Sequence, residues 1–244
     1  MAHGETASEA PGRLAVTVGE FFVGTPYRGG TLETRGAERL VVNLRELDCV
    51  TFIETVVALT LLGRSRKVTF DVFRRLLGKI RYRQGRLRGY ASRLHYFSDW
   101  IYDNERKGIA RDVTEEIGGR PFRRSVDFMT AHRDLYPRLR RADSFRRMKS
   151  VENAISKRKL FFIPKEDVTR VEKGIRDGDL VAVTAETGGL DILHVGIAVR
   201  MKGRVRLLHA SSAEGEVVLS SQTLFGYLME KPARSGIMVA RLAE

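Results

Sequence analysis

Asn43-Leu44-Arg45-Glu46-Leu47-Asp48-Cys49-Val50-Thr51-Phe52-Ile53-Glu54 is the stretch on which the fold turns, because a polar run there gives way to a long apolar helix. Asp48 suits the N-cap, where its carboxylate accepts N–H groups that the first turn leaves unpaired. Cys49, the single cysteine of the 244-residue chain, then falls at the first helical position. There the positive end of the helix dipole and free N–H groups favour thiolate over thiol, and a thiolate is a nucleophile. The competing expectation is a small, buried and inert hydrophobe. Partners elsewhere in the chain have to decide between them.

Such partners lie near the other end. Ile192 to Val199 reads as a strand rich in β-branched residues, and Val205 to Ala210 as a second, around the turn Met201-Lys202-Gly203-Arg204. Two apolar runs flanking a short glycine-containing turn make a hairpin. With Lys202 and Gly203 as the turn residues, Gly196 stands opposite His209 and His194 opposite Ser211. Alternation then places His194, Gly196, His209 and Ser211 on one face and Val195, Ile197 and Leu208 on the other. His194 and His209 become diagonal neighbours, about 7 Å apart at Cβ, close enough for one imidazole to orient the other. Asp191 has the wrong parity for that face. A nucleophile at a helix N-terminus, a histidine on a strand and a polar group on the next strand is a recurring hydrolytic arrangement.

Outside these motifs the chain reads as helices first and antiparallel strands last, which indicates an α+β fold. The helix opened by Cys49 runs through Leu62. A helical pattern runs from Thr69 to about Asn104, with a break at Arg81 to Gly89. Further helices are expected over Val126 to Leu139, stopped near Pro137, and over Ser144 to Lys159. Strands are expected at Leu180 to Thr184, through the hairpin, and at Ile237 to Leu242. The domain is expected to span residues 12–244, with residues 1–11 disordered and a helical insertion at about 64–170.

No apolar run reaches the roughly 18 residues that span a bilayer. The first residues lack the basic-then-apolar order of a secretion signal, so the chain is either cytoplasmic or exported by a signal outside this sequence. The net charge of +13 is the footprint of a polyanion binder. That makes nucleic-acid binding the rival from another class, though no zinc-finger spacing, phosphate loop or RNA-binding aromatic motif accompanies it. Solvated helix faces account for many of the charges, and any other anionic polymer would be attracted equally well.

Gly24-Thr25-Pro26-Tyr27, Asp48-Cys49-Val50-Thr51-Phe52 and His194-Val195-Gly196-Ile197 occur in the order seen in NlpC-like, papain-like cysteine peptidases and amidases. With Ser92 to Ile101 and Gly178-Asp179-Leu180-Val181, the chain most resembles the N-acetylmuramoyl-L-alanine amidase-like group within them. Val50 and Thr51 replace the small residue and glycine usual after the cysteine, pointing to the amidase-like group and away from the D,L-endopeptidases. The resemblance implies an NlpC-type core with a helical elaboration. It also implies a cysteine hydrolase that cuts the bond between N-acetylmuramic acid and L-alanine in muropeptides, or a related cell-wall endopeptidase, and a place in the bacterial cell envelope. It carries the roles of nucleophile to Cys49, base to His194 and orienter to His209, ahead of Ser211.

Tyr27 is expected beside the sulfur, and Arg93, His95 and Tyr96 are candidates for substrate contacts. The competing expectation for that last segment is core, given the helical spacing of Leu94, Phe97, Trp100 and Ile101. Glu33 and Glu54 are candidates for supporting groups. A zinc hydrolase built on His194, His209 and Cys49 is the remaining alternative, but the spacings of His-Glu-x-x-His or Cys-x-x-Cys are missing, so no metal or other cofactor is expected.

Overall fold

The computed structural model describes residues 10–244. The first helix, α1 (Pro11–Glu20), already includes Pro11, which is buried at the position where a proline's missing N–H costs nothing. Order therefore begins inside the stretch expected to be disordered, the rest of which, residues 1–9, lies outside the described residues. Next come α2 (Cys49–Gly63), α3 (Phe70–Arg81) and α4 (Phe97–Arg106), then the short strands β1 (Ala110–Asp112) and β2 (Arg120–Phe122). The single-turn α5 (Phe128–Ala131), the long α6 (Ala142–Ser156), β3 (Leu160–Pro164) and the short α7 (Val168–Val171) follow. The chain closes with β4 (Leu180–Ala185), β5 (Ile192–Met201), β6 (Arg204–Ser211), β7 (Glu216–Leu219), α8 (Leu224–Met229) and β8 (Arg234–Leu242).

These strands form a mixed α/β fold around one antiparallel sheet in the order β2-β3-β8-β4-β5-β6-β7, with β1 also on β8. The segment 64–170 is not purely helical, since β1 and β3 pair with β8 and β2 pairs with β3. The helix expected over Val126 to Leu139 shrinks to α5 and two 3-10 turns. His132 leaves helical geometry at φ −115°, ψ 44°, and Tyr136 is extended at φ −120°, ψ 85°. The second follows from Pro137, whose ring excludes the helical region for the residue before it.

The hairpin adopts the expected register. Lys202 and Gly203 both have positive φ, 51° and 80°, as a two-residue turn with the twist of its strands requires. Ile197 pairs with Leu208 and Met201 with Arg204, which carries Gly196 opposite His209. Val195, Ile197 and Leu208 face a core with Phe52, Ile53, Val56 and Val57 of α2, all buried. Each of these side chains contributes roughly 2 kcal/mol on leaving water. Ala198, Val205 and Leu207 face a second core closed by Leu224 and Leu228 of α8. Both faces of the central strands are thus covered, so the site opens at the ends of the strands.

Candidate active site

Two devices fix the start of α2. Asp48 Oδ1 accepts from Thr51 N at 2.7 Å, and Asp48 N donates to Thr51 Oγ1 at 2.8 Å, a reciprocal capping box. The Tyr27 segment holds the approach to the helix: Leu47 N donates to Pro26 O at 3.0 Å, and Tyr27 N to Gly215 O in the β6–β7 turn at 2.7 Å. Tyr27 is half-buried, and its hydroxyl is pushed above its ordinary pKa by burial first and then by Cys49 and Asp48. Tyr27 is thus near enough to Cys49 for the two groups to influence one another electrostatically.

Cys49 opens the helix as expected, but its acidity runs the other way. Burial, and then the Asp48 carboxylate, push its thiol up to about 12, while N–H groups of Val195, Val50 and Cys49 itself pull down and lose. A helix N-terminus lowers a thiol's pKa and apolar burial raises it, and here burial is the larger effect. In the free protein Cys49 rests as a thiol.

His194 lies near the start of β5, next to a bulge. Val183 pairs with His194 but Thr184 with Ile192, so Leu193 is the extra residue. Bulges re-aim side chains and gather at functional sites. His194 Nε2 and His209 Nδ1 share a hydrogen bond of 2.7 Å, with ring centroids 4.8 Å apart and planes at 84°. Gly196 makes this possible, because a Cβ there would stand 3.1 Å from His209 Cβ. Burial pulls both imidazoles down, His194 to about 3 with help from His209 and Arg234, and His209 to about 4 with help from Arg234. Both are neutral at ordinary pH.

His194 separates two hollows. One, of about 140 Å³, is lined by Cys49, His95, Tyr96, Tyr136, Asp191 and His194 among others. The second, of about 300 Å³, holds His194, His209, Ser211, Tyr227 and Arg234. Asp191 is buried and accepts from Ser98 N at 2.9 Å and from its own neighbour Ile192 N at 2.7 Å, so it braces α4 against β5 and has no bond to His194. Ser211 shares the face of His209, but its hydroxyl accepts from Glu214 N at 3.2 Å within the turn.

The remaining candidates divide. His95 lines the Cys49 hollow with its Nε2 2.9 Å from Tyr90 O, and burial drives its pKa well below the usual value. Tyr96 borders the same hollow, though its hydroxyl is spent on Glu152 Oε1 at 2.8 Å and accepts from Met129 N at 2.8 Å. Arg93 reaches neither hollow. It is buried, ion-paired to Glu33, 3.6 Å from Glu38 and stacked over Tyr90, so it fastens the 33–38 loop and has no free face for a substrate carboxylate. Glu54 is likewise occupied, by Arg81 at 2.6 Å with both side chains enclosed. Leu94, Phe97, Trp100 and Ile101 are core.

Sequence reasoning overlooked Tyr227 and Arg234. The Tyr227 ring lies 5.4 Å from that of His209 and 6.0 Å from that of His194. Arg234 stacks on the tyrosine ring, 3.6 Å from its centroid. The Thr223 cap, which accepts from Gly226 N at 3.2 Å, was the available signal for α8, but nothing local points its tyrosine at the histidines. Among the described residues, no three His, Cys, Asp or Glu side chains converge as a metal site would require, and no helix is long and apolar enough to cross a membrane.

The model of the N-acetylmuramoyl-L-alanine amidase-like (AmiA-like) family matches residues 17–237. The chain belongs to that family. A solved N-acetylmuramoyl-L-alanine amidase from Bacteroides uniformis is similar with a TM-score of 0.92 and 36% identity, over 96% of this chain and 99% of that one. A Bacteroides fragilis structure provisionally named a xylanase reaches 0.88 at 38% identity, over 92% and 99% of the two chains. A Legionella pneumophila protein shares the fold at 0.72 and 21% identity, over 97% and 90%. No curated protein matches the chain.

Proposed function

We propose that the chain is a cysteine amidase with an NlpC-type, papain-like core, acting in the bacterial cell envelope on peptidoglycan fragments. Its substrate bond is the amide between N-acetylmuramic acid and L-alanine. The observation that carries this reading is the 2.7 Å bond between His194 and His209 at the hollow that Cys49 lines. Family membership and the amidase among the similar structures support the choice of bond.

Because the groups rest as thiol and neutral imidazoles, the reaction begins by general-base catalysis and not from a preformed ion pair. His194 Nδ1 takes the Cys49 proton as the sulfur attacks the amide carbon. His194 Nε2–H donates to His209 Nδ1 throughout, which fixes the tautomer and spreads the new charge. The N–H groups against the sulfur, those of Cys49 and Val195, are suited to hold the oxyanion. His194 then returns the proton to the leaving L-alanine nitrogen, and water hydrolyses the thioester by the reverse sequence. Tyr27 borders the sulfur, and His95 and Tyr96 border the hollow into which the acyl group fits.

The xylanase name of one similar structure marks the second reading. A glycosidase needs two carboxyl groups flanking the scissile bond. In the Cys49 hollow, among the described residues, Asp191 is the carboxylate, and its oxygens are engaged by Ser98 N and Ile192 N. Mass spectrometry of muropeptides incubated with the protein and with Cys49→Ser tests the proposal. Release of intact stem peptides beginning with L-alanine, lost in the serine variant, is the expected result. Cleavage inside the peptide would make the protein an endopeptidase, and hydrolysis of xylan unaffected by the serine would refute cysteine chemistry.

A further inference from the structure

We propose that Arg234, acting through the ring of Tyr227, is a positioning residue that keeps the His194–His209 pair singly protonated on each ring and aimed at Cys49. Its side chain is only 7% exposed and is held at three points. The guanidinium lies 3.6 Å from the Tyr227 centroid, donates to Tyr227 O, and meets Glu230 Oε2 at 3.1 Å. A buried cation with one half-exposed partner retains much of its field. Tyr227 carries that arrangement to the histidines, meeting His209 edge-on at 75° with its centroid 5.4 Å away. The same ring closes one side of the 300 Å³ hollow and leaves His209 little freedom to rotate away from His194.

The charge matters because the shared bond needs one donor and one acceptor nitrogen, and only the arrangement with His194 Nε2 as donor leaves His194 Nδ1 free to take a proton. In that arrangement His209 Nδ1 accepts, so a proton added there sets two donors against each other and breaks the pair. Arg234 opposes that proton. The other groups facing the pair are Cys49, His95 and Asp191 on the sulfur side. On the other side they are Glu214, Glu230, Lys231 and the Tyr227 hydroxyl. Glu214, Glu230 and Lys231 stand exposed to solvent, which screens them, and Arg234 is the enclosed cation among them. Burial of both imidazoles works in the same direction as Arg234.

The inference rests on the cysteine-amidase reading only for its kinetic consequence, so the primary test needs no substrate. Side-chain ¹⁵N NMR of the histidines, titrated in Cys49→Ser protein, reads tautomer and protonation directly. Arg234→Gln and Arg234→Met keep the stem on Tyr227 and remove the charge. Both should raise the titration midpoints of His194 and His209 by about one pH unit, while Arg234→Lys should hold them near the parent values. In protein with Cys49 restored, the acid limb of kcat/KM should move up with the midpoints while KM on muropeptides stays unchanged. Midpoints that stay fixed in folded neutral variants, with only thermal stability lowered, would overturn the proposal and leave Arg234 a structural ion pair. Should neither neutral variant fold, Glu230→Gln answers the same question from a half-exposed site: it must move the midpoints down, and unmoved midpoints overturn the proposal. A normal NMR response in a protein inactive on muropeptides would sink the amidase reading alone.

Discussion

Gly196→Ala measures how closely the histidine pair depends on the hairpin. A Cβ at Gly196 would meet His209 Cβ at 3.1 Å, Leu208 O at 3.2 Å and Leu207 Cδ2 at 3.3 Å. Comfortable carbon–carbon contact needs about 3.5–4.0 Å, so something must yield by about half an ångström. β5 is held between β4 and β6, and β6 between β5 and β7, which leaves the His209 side chain as the part that gives. Overpacking of this kind costs roughly 1–3 kcal/mol. Removing a strand glycine returns roughly 0.5–1 kcal/mol of chain entropy, so the net loss of stability is modest. The effect on catalysis should be larger. A displacement of 1 Å can cost about a hundredfold, so half of that predicts roughly a tenfold fall in kcat. Turnover of a muropeptide and thermal melting, measured on the same preparation, separate the two effects. Gly188→Ala is the control, since nothing lies within 4 Å of a Cβ there. Wild-type kcat in folded Gly196→Ala would refute the claim that the glycine exists to admit His209.

Loss of the base should outweigh loss of the orienter: His194→Ala lowers kcat by several orders of magnitude, His209→Ala leaves measurable turnover, and Ser211→Ala stays near wild type because its hydroxyl is engaged in the turn. A dead Ser211→Ala beside a healthy His209→Ala would reverse the assignment. Arg81→Met strands the enclosed Glu54 carboxylate and should cost about 3–5 kcal/mol in chemical denaturation, whereas adding Glu54→Leu should recover most of it. An undiminished stability in the single variant would show that Glu54 finds another partner. Both histidines have folded-state pKa values below the ordinary 6.5, about 3 and about 4, so the unfolded chain binds protons first on acidification. Their contribution to stability is therefore complete above about pH 6.5 and is lost as pH falls toward 4. The slope of melting temperature against pH in that window should flatten in the double variant His194→Gln/His209→Gln, and an unchanged slope would put the acid sensitivity elsewhere.

Local rules made much of the architecture legible. Asp48 followed by Thr51 marks a helix start because the groups that cap one another sit three residues apart. Lys202-Gly203 defines the hairpin register because two positive φ values fit few residue pairs, and parity then puts His194 and His209 on one face. The short strands β1, β2 and β3 escaped notice because three to five residues carry too little periodicity, and each is a strand only by virtue of β8 or β3 beside it. Arg93 looked available for a ligand until the tertiary fold brought Glu33, 60 residues away, onto its guanidinium. The acidity of Cys49 is a tertiary quantity too. A helix N-terminus is visible in the sequence, but the desolvation that overcomes it depends on everything packed around the sulfur, and the Val195 N–H that opposes it arrives from a distant strand. Tyr227 reaches the histidines only because α8 folds back over the sheet, and Arg234 reaches Tyr227 from the start of β8. The sequence by itself therefore determined the start of α2 and the register of the hairpin, since capping, turns and alternation act over a few positions. Only the tertiary structure decided which charges Cys49 and the two histidines feel, because burial and Coulomb interactions depend on distance in space and not along the chain.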